Sequence, residues 1–284
     1  MVFNTNILAG SGGQAGDAFS PLGLQIKNSA GSQTNYLQSV CTAAASTSSS
    51  FSNRADNGKK ATLVMWYYPL VKLANNSHIF TLQGGTNALT INFPYSFFIR
   101  TDDGTTDFQV LWQNPASNSY KINVVKPTFI LNQWNCMLFS FNASATDKGI
   151  RWYHNDADQS APNSVDTLHN FGGSGSNSGT SMSVAGKIGQ APFAGAIAEL
   201  YYAPNQFIDF DIESNRRLFL NADGTPVDLG ADGSTPTGSK PITYLSLREG
   251  EGAEQFAVNR GIGADLSVVG NVSIFAEPVS CSIA

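Results

Sequence analysis

Residues 189–209, "GQAPFAGAIAELYYAPNQFID", form the stretch that decides the fold. The run reads as a buried strand, because apolar side chains occupy nearly every position between Phe193 and Tyr202. One carboxylate, Glu199, interrupts it. Glu199 is either a catalytic acid in the wall of a cleft or part of how the fold closes. These two alternatives separate an enzyme from a protein without a reactive centre.

Strand-like runs continue on both sides of this stretch. They are rich in β-branched and aromatic residues and are separated by Gly, Asp and Asn turn signals. The clearest runs from residue 61 onward are "ATLVMWYYPL", "HIFTLQ", "ALTINF", "SFFIRTD", "FQVLWQN", "YKINVV", "WNCMLFSFN", "GIRWYHND" and "SMSVAGKIG". Many short antiparallel strands at such spacing indicate a sandwich or a barrel.

The composition excludes several classes of protein. The 284-residue chain has a net charge of −5 and only 13% charged residues, against a usual figure of about 25%. A nucleic-acid binder would normally carry a basic face. No apolar stretch reaches the roughly 18 residues of a membrane span, and the first residues lack the pattern of a signal peptide. The sequence predicts a soluble protein that binds neither nucleic acid nor membrane.

The two ends of the chain differ from its middle. Residues 1–20 are Gly-, Ala-, Ser- and Asn-rich and form an extended N-terminal arm, whose backbone would cost roughly 20–40 kcal/mol to order. We expect both ends to become ordered against other molecules, the arm through Phe3, Ile7 and Leu8. Residues 21–220 form the β-sandwich. Residues 221–284 are a Gly/Pro-rich connector plus C-terminal strands that complete it.

One short helix is expected in "DFDIESNRRLFLNADG". Asp211 is placed to act as its N-cap, with Glu213 in the first turn and Gly224 beyond the end. A helix of about ten residues is unstable alone. It should therefore dock through three apolar side chains, Ile212, Leu218 and Phe219.

Glu199 lacks the partner that glycoside hydrolysis needs. Glycosidases use two carboxylates about 5–5.5 Å or about 6.5–9.5 Å apart. The positions two and four residues away on the strand carry no acid. We therefore expect Glu199 to accept hydrogen bonds from the backbone or a tyrosine, or to point outward. The chain is predicted not to be an enzyme and to have no catalytic residue.

Acidic loops are the candidates for a metal. Ca²⁺ requires several oxygen ligands, and "TDDGTTD" offers Asp102, Asp103 and Asp107. Further candidate ligands lie in two other segments. They are His154, Asn155, Asp156 and Asp158 in "HNDAD", and Glu249, Glu251 and Glu254 in "REGEGAE". The same residue types are ordinary in hairpin and solvated turns. We favour turns here, with no required metal or cofactor.

Aromatic residues on predicted strands raise the question of sugar binding. Trp112, Tyr120 and Trp152 lie where alternate side chains would face solvent, and exposed rings can stack on glycans. The alternative is that these rings belong to the core or to subunit contacts. The three cysteines, Cys41, Cys136 and Cys281, are too scattered for a disulfide framework or a zinc site. Cys136 reads as a small buried hydrophobe.

Three of these segments together resemble a known superfamily. "ATLVMWYYP", "WNCMLFSFN…GIRWYHND" and "FAGAIAELYYAPNQFID" are similar to strands of concanavalin A-like, laminin G-like β-sandwiches. The positions that carry the resemblance are Trp66, Trp134, Tyr153, Asn155 and Gly195 to Glu199. The resemblance implies an all-β, antiparallel jelly-roll β-sandwich with one short helix and extended terminal arms.

A narrower resemblance covers most of the chain. "FNTNILAGSGG", "DGTPVDLGADGSTPTGSKPITYLSL" and "FAVNRGIGADLSVVG" look like laminin G-like proteins of tailed bacteriophages. The sequence departs from them at "IKNSAGSQTNYLQSV". This resemblance implies a virion structural protein, made in the bacterial cytoplasm, that contacts major capsid, tail or neck subunits and copies of itself.

The C-terminal segment suggests how the sandwich closes. "LSLREGEGAEQFAVNRGIGADLSVVGNVS" resembles the strand–loop–strand unit that opens many laminin G-like modules, although here it comes last. Residues 242–275 should therefore pair beside the N-terminal strands within residues 21–40, as in a permuted chain.

Two functional hypotheses follow. The first is a non-enzymatic phage virion protein on the particle exterior, either a capsid decoration or cement protein or a head or tail fibre component. The second is a lectin-like receptor-binding module that recognises host surface glycans.

Overall fold

The computed structural model describes most strands and the whole C-terminal third of the chain. The described residues are 19–28, 35–40, 60–71, 78–84, 96–101, 107–114, 119–120, 124–128, 130–142, 150–159, 180–186, 193–204 and 206–283. Phe3, Ile7, Leu8, Asp102 and Asp103 lie outside them.

The strands are numbered in chain order. The first eight are β1 (Gly23–Ile26), β2 (Tyr36–Val40), β3 (Lys60–Pro69), β4 (His78–Gly84), β5 (Ser96–Thr101), β6 (Asp107–Asn114), β7 (Ser119–Tyr120) and β8 (Val124–Thr128). The other eight are β9 (Asn135–Asn142), β10 (Ile150–His154), β11 (Ala157–Asp158), β12 (Thr180–Val184), β13 (Gly195–Pro204), β14 (Thr243–Leu245), β15 (Ser267–Val269) and β16 (Val272–Phe275).

Over the described residues these strands form two antiparallel sheets of eight. The first sheet has the order β11-β10-β9-β3-β13-β1-β16, and β14 also pairs with β13. The second has the order β15-β2-β12-β4-β5-β6-β7, and β8 pairs with β6. The prediction of an all-β antiparallel sandwich is confirmed.

The C-terminal strands pair beside the N-terminal ones. β16 pairs with β1 from Gly23 opposite Phe275 to Ile26 opposite Val272. β15 pairs with β2 in the other sheet. The two-residue connection between β15 and β16 therefore joins the edges of both sheets, and the predicted pairing of residues 242–275 beside residues 21–40 is confirmed. The domain boundaries at residues 20 and 220 stay predictions.

The inner core lies between the two sheets. It contains alternate residues of the long strands of the first sheet, such as Leu63, Phe139 and Ile197, packed against Phe80 and Met182 of the second sheet. These side chains are fully buried. Burial of apolar surface at about 25 cal/mol per Å² is the main force that holds two such sheets together.

The outer face of the first sheet carries a second core. Trp66, Trp134 and Tyr153, three of the positions that suggested the superfamily, lie in this outer cluster. It is covered by side chains from residues 208–229 and 279–281, which follow the long strand β13 and the last strand. The central strands are consequently apolar at almost every position, as strands buried on both faces must be.

The C-terminal end is held by the chain itself. The Trp134 indole N–H donates to the Glu277 carbonyl over 3.3 Å, and the Cys281 N–H donates to the Gly224 carbonyl over 3.0 Å. Val279 and Cys281 are buried in the outer cluster. The expectation that both ends are ordered only against other molecules is therefore wrong for the C-terminal end, because its apolar side chains find a place on the first sheet.

The helix is shorter than predicted. In the described residues α1 spans Glu213–Arg216, a single turn, and its N-cap is Ile212 with no side-chain cap. Asp211 is therefore not the cap. The docking prediction is correct for Phe219, which is fully buried, and wrong for Ile212, which is 51% exposed. The segment is held by the burial of Phe210, Phe219 and Leu220 in the outer cluster and by ion pairs of Arg216 and Arg217 with Asp156.

Among the described residues, no helix has both the length and the apolar character that crossing a membrane requires.

Candidate functional site

A β-bulge in β13 determines where Glu199 points. The pairing with β3 shifts by one residue between Ala198 and Tyr201, so Glu199 and Leu200 together oppose Met65. Glu199 has φ of 45°, a left-handed conformation that costs a residue with a side chain roughly 1–2 kcal/mol. Without the extra residue, the alternation of a strand would direct Glu199 into the inner apolar core.

Two hydroxyl groups from β14 and the residue after it bind the Glu199 carboxyl group. The Tyr244 hydroxyl donates to Oε2 over 2.8 Å, and the Ser246 hydroxyl donates to Oε1 in a short hydrogen bond. Tyr244 and Ser246 are two residues apart and so face the same side of the sheet. Glu199 is only 1% exposed. The bulge thus ties the long strand β13 to the C-terminal strand β14.

Burial decides the protonation of this carboxyl group. It raises the pKa of Glu199 to about 7, and the hydrogen bonds from Ser246 and Tyr244 and the charge of Arg248 oppose the rise only in part. Burial also raises the pKa of Tyr244, and the neighbouring Glu199 adds to that rise. The cluster therefore holds Tyr244 as a neutral donor and Glu199 as a group that is partly protonated near neutral pH.

Arg248 covers the entrance to this cluster. Its guanidinium donates to the Tyr244 hydroxyl over 3.0 Å and forms an ion pair with Asp228 at 3.1 Å. It also lies over the Phe19 ring, 4.3 Å from the ring centroid. The connector, strand β14 and the end of the predicted N-terminal arm therefore meet at one arginine.

This arrangement does not suit Glu199 to act as a catalytic acid. A general acid must lie within hydrogen-bond reach of the group that it protonates. Both oxygens of Glu199 already accept hydrogen bonds from the chain, and the side chain is closed off from solvent. The prediction that Glu199 bonds to a tyrosine is confirmed, with Tyr244 as the donor.

The "HNDAD" segment is a hairpin turn between β10 and β11. Asn155 and Asp156 have φ of 51° and 64°, as a two-residue hairpin turn requires. Asp156 receives Arg216 Nε at 2.7 Å and Arg217 Nη2 at 2.6 Å. The Asn155 side-chain oxygen accepts the Cys136 N–H over 2.7 Å. The turn interpretation is correct, and these oxygens serve internal contacts rather than Ca²⁺.

His154 belongs to the interior as well. It is 5% exposed, and its Nε2 lies 2.7 Å from the Tyr67 hydroxyl. Burial lowers the pKa of His154 to about 4, so the ring is neutral at pH 7.

The third acidic segment, "REGEGAE", is bound to the fold through Glu251 and is not simply a solvated turn. Arg260 Nη2 donates to both carboxylate oxygens of Glu251, over 2.6 and 2.7 Å. The Arg248 backbone N–H donates to the same carboxylate over 2.8 Å. Glu249 and Glu254 are exposed, as predicted. Within the described part of the chain, no group of three or more His, Cys, Asp or Glu residues is placed to hold a metal ion.

The aromatic candidates have different outcomes. Trp152 is fully buried in the inner core, with its ring edge-on to Phe139. Of the two alternatives raised for Trp152, the structure supports the core position, because Trp152 pairs across the sheet with Phe139 on the inner face. Trp112 and Tyr120 lie on neighbouring strands β6 and β7, and Asp107 begins β6. Sugar binding by Trp112 and Tyr120 and metal binding by Asp107 stay predictions.

Sequence reasoning missed the arginines that bind these acids. Arg248 and Asp228 are far apart in the sequence, and so are Arg217 and Asp156. No local spacing rule connects such pairs. One signal was present, because "DFDIESNRR" and "REGEGAE" are among the few strongly charged stretches in a chain with little charge.

Comparison with solved structures identifies the fold. A putative carbohydrate-binding protein from Bacteroides ovatus matches 94% of this chain with a TM-score of 0.50 and 14% identity. The chain has the concanavalin A-like sandwich fold. It covers 62% of the Bacteroides protein, so that protein extends well beyond the matched part.

Two further structures resemble this concanavalin A-like sandwich less closely. The heptameric SAP-like pentraxin from Limulus polyphemus covers 93% of this chain and 98% of its own, with a TM-score of 0.46 and 9% identity. Domains LG4-5 of the mouse laminin alpha1 chain cover 65% of this chain and 43% of their own, with a TM-score of 0.41 and 10% identity. No family model and no curated protein sequence matches the chain.

Proposed function

We propose that this chain is a non-enzymatic structural protein on the exterior of a tailed-bacteriophage particle, a capsid decoration or cement protein or a head or tail fibre component. It acts through contacts with other particle proteins and with copies of itself. The observation that supports the non-enzymatic part of the proposal is the closed Glu199 cluster, in which the buried carboxyl group of β13 is bound by Tyr244 and Ser246.

The remaining buried acid of the first sheet supports the same conclusion. Asp156 is neutralised by Arg216 and Arg217, and its side chain is 8% exposed. A catalytic carboxylate must meet a substrate, and neither Glu199 nor Asp156 does so in this arrangement. Glu199 and Asp156 thus serve contacts within the fold.

The phage assignment rests on the sequence resemblance of the C-terminal segment. That segment supplies β14, β15 and β16, which close both sheets. It also supplies Arg248, which lies over the ring of Phe19 near the end of the predicted arm. This contact fixes the arm where it joins the sandwich. The rest of the arm could then attach to a neighbouring subunit through Phe3, Ile7 and Leu8.

The deciding experiment locates the chain in intact particles. Mass spectrometry of purified particles from cells that carry this coding sequence should find the chain in a fixed ratio to the major capsid or tail subunit. Its absence from every particle fraction would refute the proposal.

A truncation then tests the arm. Removing residues 1–18 keeps Phe19 and its contact with Arg248. The truncated chain should retain its far-UV spectrum and melting temperature and lose binding to particles that lack the protein. Full binding without the arm would show that the sandwich itself carries the contact.

A lectin-like role is the second candidate. It is favoured by the similarity to the putative carbohydrate-binding protein. Tyr120 pairs with Gln113, so Trp112 and Tyr120 occupy alternate positions of the sheet and are tested separately. Glycan-array binding by the isolated protein, lost in Trp112→Ala or in Tyr120→Ala and kept in the control Glu249→Ala at an exposed site, would support it. An array with no bound glycan would exclude it.

A further inference from the structure

The outer cluster brings together two cysteines that are far apart in the sequence. Cys136 lies on β9, and Cys281 lies in the C-terminal segment. Both are free thiols, 0% and 3% exposed. The backbone of Cys281 pairs in parallel with Trp134, two residues before Cys136 on the same face of the sheet. Cys136 and Cys281 are therefore diagonal neighbours on that face, within the same buried cluster.

The segment that carries Cys281 lies at the surface. Glu277, Ser280 and Ser282 on either side of it are exposed. Its described polar contacts are few, among them Cys281 N–H to the Gly224 carbonyl and the Ser280 hydroxyl to the Asp223 carbonyl. Val279 and Cys281 are buried in the outer cluster, so the Cys281 thiol is covered while the segment is in place. Surface segments open locally at a lower free energy than central strands. A small molecule would meet the Cys281 thiol in that open state, while Cys136 stays on the central strand β9.

We propose that Cys136 and Cys281 are a redox-active pair that forms a disulfide when the protein meets an oxidised low-molecular-weight disulfide, and that this bond locks the C-terminal segment onto the first sheet. The proposal does not depend on the function of the chain. Cys281 is the entry thiol, because it lies in the surface segment. Cys136, on the central strand β9, is the resolving thiol.

The reaction is a pair of thiol–disulfide exchanges. The Cys281 thiolate attacks one sulfur of the small disulfide, which forms a mixed disulfide and releases one small thiol. The Cys136 thiolate then attacks Sγ of Cys281 and releases the second small thiol. Two protein S–H bonds are replaced by one S–S bond. The small disulfide takes up the two electrons and two protons and leaves as two thiols.

The second step sets the rate. Burial raises the pKa of the Cys136 thiol, and the contact with Cys281 adds to the rise. The thiolate is the attacking form, so closure should be slow at neutral pH and faster as the pH increases. A structural cysteine that never reacts would show no such pH dependence.

The test uses the full chain with Cys41→Ser, which removes the third thiol and leaves the pair. The folded protein is incubated with oxidised glutathione, alkylated, unfolded in guanidinium and assayed for free thiols. The expected result is a loss of both remaining thiols, a non-reducing peptide map with one peptide joining residues 136 and 281, and a higher melting temperature. The rate should increase between pH 7 and pH 9.

Cys281→Ser in the same background is the matched control. Serine is close in size to cysteine, and the variant should fold with the same far-UV spectrum and keep its Cys136 thiol. Two outcomes overturn the proposal: both thiols of the Cys41→Ser protein survive the incubation, or the reaction stops at a stable glutathione adduct on Cys281. If Cys281→Ser does not fold, Cys136→Ser replaces it and should accumulate that adduct.

Discussion

Replacing Glu199 with glutamine tests whether the bulge holds an uncharged carboxyl group. Burial raises the pKa of Glu199 from 4.5 to about 7 in the folded protein. Between these two values the folded state keeps a proton that the unfolded state has lost. The free energy of unfolding therefore falls as the pH rises from 4.5 to 7, at about 1.36 kcal/mol per pH unit and by about 3 kcal/mol in total. Glutamine does not ionise and removes this loss.

The informative quantity is the difference between Glu199→Gln and the wild type. His154 acts in the opposite direction, because burial lowers its pKa from 6.5 to about 4 and the unfolded state then binds the extra proton. In the wild type the contributions of Glu199 and His154 to the pH dependence of the unfolding free energy nearly cancel between pH 4.5 and 6.5. In the variant only the contribution of His154 remains. Relative to the wild type, the variant should gain about 3 kcal/mol between pH 4.5 and pH 8.

Urea unfolding at several pH values between 4.5 and 8 measures this difference. Glu249→Gln is the matched control, because Glu249 is exposed and should leave the curve unchanged. A constant difference between Glu199→Gln and the wild type would refute the reasoning. That result would mean that Glu199 is ionised throughout this range, as an anion beside Arg248.

Three further substitutions test the packing. Asp156→Asn keeps a residue type that tolerates the turn but removes the anion that two arginines share. It should lower the free energy of unfolding in urea by about 3 kcal/mol. The control Asp158→Asn, at an exposed site, should lower it by under about 1 kcal/mol. Gly224→Ala places a Cβ 2.0 Å from the Cys281 carbonyl oxygen and should lower the melting temperature by more than Gly238→Ala, where the same left-handed strain meets open space. Trp152→Ala should cost about 3–5 kcal/mol, and an unchanged melting temperature would contradict its burial.

The sequence predicts the parts of this fold that depend on periodicity. Long apolar strands, turns at Asn155 and Asp156, and the absence of a second acid beside Glu199 all follow from local pattern. Trp152 shows the limit of that approach. The alternation of Ile150, Arg151 and Trp152 places Ile150 and Trp152 on the same face of the strand. Strand periodicity alone does not say which face of the sheet is covered.

Long-range contacts are the other limit. The pairing of Cys136 with Cys281 and of Asp156 with two arginines depends on how the chain after β13 returns across the outer face. That path is set by the sum of many weak contacts rather than by a motif. The short helix illustrates this, because the ion pairs of Arg216 and Arg217 hold a segment that helix propensity would extend.

The pairing of β1 with β16 joins strands that are synthesised at very different times. Gly23 leaves the ribosome about 250 residues before its neighbour Phe275, a delay of roughly 10–50 s at ordinary rates of synthesis. Until β13 is made, β1 has neither of its two strand partners, and until β16 is made it has only one, whereas β3 and β9 can pair much earlier. Contacts so distant along the chain make folding slow. A nascent chain that stops before residue 272 therefore carries an unpaired strand edge, which makes synthesis the period when this sandwich is most prone to aggregate.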